Sequence, residues 1–137
     1  MFLGSIPSMD GPAHLHNAFI INELWSGNEF LSQFYSFNEE LIPNWSGHFI
    51  MALLYYFLSG FLVEKAFVLL ILVLLPLSFR CLILTTRPKN AYWAVVIFPF
   101  TYGFLFVLGF YNFTFALIPF FLTLALTHHY LKERKTI

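Results

Sequence analysis

The sequence has 137 residues, is 59% hydrophobic and 10% charged, and has a mean hydropathy of +0.75. Soluble domains carry about 25% charged residues, and a chain of this size cannot hide so much apolar surface in water, so it belongs in a bilayer. Seven basic and seven acidic residues leave zero formal net charge and no basic patch for nucleic acid; the single cysteine, Cys81, has no disulfide or metal-site partner.

The chain starts "MFLGSIPSM", which has no basic start and too short an apolar stretch for a cleaved signal peptide. Residues 12–37 read as interfacial helix. Leu15, Phe19, Ile20, Leu24 and Trp25 supply apolar mass, and His16, Asn17, Asn22 and Glu23 are polar. "SGN" at 26–28 breaks the pattern, and "EFLSQFYSF" starts a second short amphipathic piece. Trp25, Tyr35 and Trp45 suit headgroup level. "IPNWSGH" at 42–48 is a turn in which Pro43 forces extended geometry on Ile42.

Four apolar stretches follow. The first, 48–63, has a core of about 15 residues, or ~22 Å of helix, which is short of a ~30 Å hydrocarbon layer. It reads as an interfacial or re-entrant helix, closed by Glu64 and Lys65. The second, 66–84, is long enough to span. The run 91–127 carries no charge and is nearly twice the ~20 residues of one span, so it must turn at "GFYNF", giving helices of about 91–108 and 112–128. Pro99 and Pro119 fall inside them and predict kinks. The expected fold is thus all-α and membrane-integral, with three transmembrane helices in 64–137 and a segment of amphipathic and re-entrant helices in 1–63.

Charge sets the direction. The first 63 residues hold no Lys or Arg, only Asp10, Glu23, Glu29, Glu39 and Glu40. Basic residues gather at Arg87 and Lys89 and in the tail at Lys132, Arg134 and Lys135. Cytoplasmic loops attract Lys and Arg, so 1–63 is expected outside, and 85–90 and the tail inside. Arg80, near the inner end of the first span, reaches the headgroups by snorkelling.

Asp10 has two readings that can coexist. Followed by Gly-Pro and an apolar helix, it is a good N-cap. It also lies where a lipid headgroup meets water, as a base or metal-binding carboxylate would. His14 shares its helical face at i+4, where a hydrogen bond between the two is the simpler use. His16 points about 200° from His14, at ~100° per residue, so Asp10, His14 and His16 do not form one three-ligand site. His48 can join from the second turn. Tyr111 and Asn112 read either as a tight turn or as residues exposed on the same side as Asp10 and lining a site with it. Glu39–Glu40 reads as a wet loop, with a smaller chance of a role near a metal, and His128 and His129 as solvated helix-end residues. No phosphate loop, HExxH, CxxC or nucleophile elbow occurs.

The segments "DGPAHLHNAFII", "PNWSGHFIMALL", "EKAFVLLILVLLPLSFRCLI" and "FPFTYGFLFVLGFYNF" resemble a group of polytopic bacterial membrane proteins of Bacteroidetes type. That group looks related to the GT-C-type glycosyltransferases, which use polyprenyl-phosphate-linked sugars. The resemblance covers about residues 8–130. It implies that Asp10 matches the acid of the first outer loop, and that 12–63 match the surface helices after it. It also implies that the carboxylate binds a divalent metal (Mg or Mn) or activates the acceptor at the outer face of the bacterial cytoplasmic membrane. His14 and His16 have no role in that pattern. The chain departs from it by lacking a span before Asp10, by stopping after three crossings and by having no acid at 109–113. A fragment is therefore expected, inactive alone and needing the remaining helices or a partner. The competing expectation is a non-catalytic membrane protein serving assembly or transport.

Overall fold

The computed structural model describes residues 6–38, 40 and 43–134. Glu39, Ile42 and Lys135, to which the sequence assigned a loop, a turn and the basic tail, lie outside the described residues. Every described element is helical: α1 (Gly11–Trp25), a 3-10 turn (Leu31–Gln33), α2 (Ser46–Leu54), α3 (Phe61–Thr86), a 3-10 stretch (Pro88–Ile97), α4 (Phe98–Thr101), α5 (Phe104–Val107) and α6 (Tyr111–Arg134).

α1 ends where the sequence breaks at "SGN". Gly27, at φ 78°, gives its N–H to Leu24 O and the Asn28 N–H goes to Glu23 O. These are the paired bonds of a Schellman cap. The second amphipathic piece expected after it is reduced to the single turn Leu31–Gln33. Asn28 captures the N–H groups of Phe30 and Leu31, so the local hydrogen bonding of an Asx turn replaces the helix. α2 is nine residues long, far too short to cross. Its Met51 and Ala52 pack against Ala18 and Ile21 of α1, and Asn22 donates to the Ala52 carbonyl at 3.1 Å.

Three helical runs are long and apolar enough to cross a membrane: Phe61–Thr86, Pro88–Val107 and Tyr111–Arg134. This is the architecture of a multi-pass membrane protein. The first run starts at Phe61 and so takes in Glu64 and Lys65, which the sequence had placed at the end of the preceding stretch. Its buried residues, Glu64, Phe67, Val68, Ile71, Leu75 and Ser78, fall on one stripe at helical spacing. α6 meets that stripe with Tyr111, Thr114, Ile118 and Ala125. The opposite faces expose Leu69, Val73, Leu77, Phe120 and Leu126, more contiguous apolar surface than water tolerates, as lipid contact requires.

The second run is not the continuous helix expected over 91–108. Its first half is a 3-10 stretch with Asn90 off helical geometry, and its second half breaks at Tyr102–Gly103, where Gly103 is extended. Pro99 is not the cause. It occupies the first turn of α4, where a missing N–H costs nothing. Pro119 lies within an unbroken α6.

Candidate functional site

The site forms where the chain before α1, the N-termini of α1 and α2 and the N-terminal ends of α3 and α6 converge. Gly109 makes the convergence possible. It has φ 91°, and a Cβ there would lie 2.7 Å from both the backbone nitrogen and the Cβ of Asp10. Only glycine lets the two backbones touch in this way. The Met9 N–H donates to the Val107 carbonyl at 3.0 Å, which ties the same two segments together.

Asp10 occupies the N-cap position of α1 by its backbone, yet its carboxylate makes no capping bond. Ser8 takes that part: its Oγ accepts the Gly11 N–H at 3.1 Å. Asp10 is exposed, and among the described residues its carboxylate has no hydrogen-bond partner. It opens onto a cleft of about 250 Å³ shared with His14, Asn44, Phe110, Asn112 and Phe113. It is the only carboxylate among the described residues lining that cleft.

The His14 ring does not bond the Asp10 carboxylate, although the i+4 spacing would allow it. Its Nε2–H donates to the Gly109 carbonyl at 2.9 Å, and its Nδ1 meets Nε2 of His48 at 2.8 Å. A carbonyl can only accept, so neutral His14 carries its proton on Nε2 and accepts on Nδ1 from His48 Nε2–H. Both imidazole nitrogens are thereby taken. The His48 pKa is lowered, first by burial and then by the neighbouring His14, which favours its neutral form. His16 is exposed on another face of α1, beside Pro12, Phe19 and Tyr55, as its angular offset requires.

Tyr111 and Asn112 are not exposed, as the sequence suggested, but buried, because α6 begins at Tyr111 and draws both side chains into the seam with α3 and α2. The Asn112 amide is fully engaged. Its Oδ1 accepts the Gly47 N–H at 2.6 Å and the Ser46 hydroxyl at 3.4 Å, and its Nδ2 donates to the Asn44 carbonyl. Asn112 holds the start of α2 and borders the cleft. Tyr111 stacks on His14 with ring centroids 5.5 Å apart and does not line the cleft. Its hydroxyl lies 3.0 Å from Glu64 Oε1 and 2.7 Å from Ser8 Oγ.

Glu64 is the functional-region residue that sequence reading missed. It is fully buried on the inner stripe of α3. Its carboxylate accepts from Tyr111 and, at 3.4 Å, from the Ile6 N–H. The signal was present: Glu64 stands at i−3 and i−4 from Phe67 and Val68, in register with Ile71 and Leu75. A buried carboxylate requires such partners, and here they fasten the N-terminal segment to the first and last spans.

As for a metal, no group of three or more His, Cys, Asp or Glu side chains able to hold an ion occurs among the described residues. The His14 ring and the Asn112 amide beside Asp10 are already bonded, so among the described lining residues the cleft offers a hard cation one carboxylate and the Asn44 side-chain amide. Compared with protein-family models, with curated proteins and with solved structures, the chain has no significant match.

Proposed function

We propose that this chain is a module of a membrane-embedded, GT-C-like glycosyltransferase that moves a sugar from a polyprenyl-phosphate donor at the outer face of the bacterial cytoplasmic membrane. Residues 1–63 then lie outside, and 85–90 and the basic tail lie in the cytoplasm. One observation carries the reading. At the end of a spanning bundle, a carboxylate free of capping and of hydrogen bonds faces a cleft in which the His14 ring and the Asn112 amide are held by bonds to Gly109 and Gly47. Asp10 takes the proton from an acceptor hydroxyl. The hydroxyl oxygen bonds to the anomeric carbon, and the bond from that carbon to the phosphate oxygen breaks, its electron pair leaving with the lipid phosphate. A divalent Mg or Mn ion, held by Asp10 and the donor's own phosphate oxygens, would neutralise charge on that leaving group.

Removing a general base typically lowers turnover by about 10²–10⁴-fold. Asp10→Asn in membranes containing the full protein should therefore abolish transfer of a labelled sugar from its polyprenyl-phosphate carrier. Unchanged transfer overturns the assignment. A periplasm-active reporter fused after Lys89 should stay silent; activity there overturns the topology.

A second reading, a non-catalytic assembly or transport subunit, draws on the exposed aromatic face of the broken run, where Phe100 and Phe104 lie open. In both readings further transmembrane helices, from the same protein or a partner, cover that face.

A further inference from the structure

A second cleft, of about 260 Å³, lies between α1, the loop 35–38 and the start of α2. Its size is near the lower end of small-molecule sites, which run from ~300 Å³ upward. Trp45 and Tyr35 form its rim, 42% and 44% exposed. Its floor is aliphatic, from Ile20 and Ile21. The polar groups are neutral: Asn17, Ser36, Asn38 and His48. No Asp, Glu, Lys or Arg lines it among the described residues. The Asn17 amide has no hydrogen-bond partner among the described residues, and Asn38 uses only its Oδ1, which accepts the Glu40 N–H at 3.0 Å. Aromatic faces beside unspent amide and hydroxyl groups, with no charge, match a ligand that is apolar on its C–H face and hydrogen-bonding at its edge. An anionic ligand would find no cation here, and a purely aliphatic one would strand the amides.

We infer that this cleft binds a neutral pyranose ring, stacked on Trp45 and Tyr35 and hydrogen-bonded at its hydroxyls by Asn17 and Asn38. The cleft shares the His48–His14 pair with the Asp10 cleft: His48 lines one and His14 the other. That the bound sugar is the acceptor rests on the transferase reading. That it binds does not.

The test is saturation-transfer NMR on the full chain in phosphatidylcholine nanodiscs, since sugar-headed detergents would compete. The probes are methyl hexosides and a methyl uronide. Neutral hexosides should receive saturation, and the uronide much less. Trp45→Ala should weaken hexoside binding about tenfold, and Trp45→Phe should restore most of it. Hexoside binding with Asp10-independent transferase activity would sink the proposed function and leave the saccharide site standing. The inference is overturned if hexosides receive no more saturation than with empty nanodiscs. It is equally overturned if Trp45→Ala, folded by circular dichroism, binds as the parent does, or if only lipid headgroup protons respond.

Discussion

The end of the bundle around Asp10 and the broken run 88–107 are built on opposite principles. The first is fastened by polar bonds between residues far apart in sequence. Examples are His14 to Gly109, Asn112 to Gly47 and Tyr111 to Ser8 and Glu64. No buried side-chain nitrogen or oxygen in the described residues lacks a partner. The second buries only Ile97, Thr101 and Phe106, and its side-chain bond from Thr101 to the Ile97 carbonyl, at 3.0 Å, is local. Long-range polar bonds tolerate little displacement, whereas apolar surface in lipid can slide. The chain thus enforces geometry where the carboxylate stands and leaves the broken run to be shaped by what packs on it.

Three perturbations sharpen that contrast. The largest effect is expected from Gly109→Ala, which adds a clash with Asp10 to an unfavourable backbone angle. A loss of about 3 kcal/mol or more should appear as a collapse of thermal stability in nanodiscs. The same substitution at Gly103, whose extended backbone suits any residue, should change little. An equal loss at both positions would erase the distinction. Next comes Tyr111→Phe. It removes the closest donor to buried Glu64 and should cost about 1–3 kcal/mol, measured by denaturant titration. Adding Glu64→Gln should recover part of that cost, because an amide is cheaper to bury without the Tyr111 donor than a carboxyl group. The smallest effect concerns pH. His48 resists protonation in the folded chain, so the unfolded chain binds more protons once the pH falls below the ordinary imidazole value of about 6.5. Stability should be full above that value, decline as acid is added through it, and level off below the lowered folded pKa. The acid limb of the unfolding midpoint should flatten in His48→Gln.

Much of the frame was legible from the residues. The charge-free run 91–127 could not be one helix, and "GFYNF" was its only place to turn. Gly109 lies in that turn, and Asp10 packs against it. The shortness of 48–63 ruled out a crossing, and α2 is shorter still. For Glu64 and His14 the cause is shared: the partners that fix them lie far away in the sequence. Glu64 looked like a terminator because its partners, Tyr111 and Ile6, lie 47 and 58 positions away. His14 at i+4 from Asp10 looked like its partner because helical spacing is visible in a sequence, while a carbonyl 95 residues on is not. The broken geometry of 88–107 was hidden because an apolar run reads alike whether wound as an α-helix or more tightly.

The bond between Tyr111 and Ser8 spans 103 residues, and this has a consequence for biosynthesis. At ~5–20 residues per second, the ribosome releases Tyr111 roughly 5–20 s after Ser8. Until then Glu64 and Ser8 lack the Tyr111 hydroxyl that lies between them, and His14 lacks the Gly109 carbonyl. The amino-terminal region therefore waits for its partners, and the carboxylate reaches its final setting only when the last helix has formed.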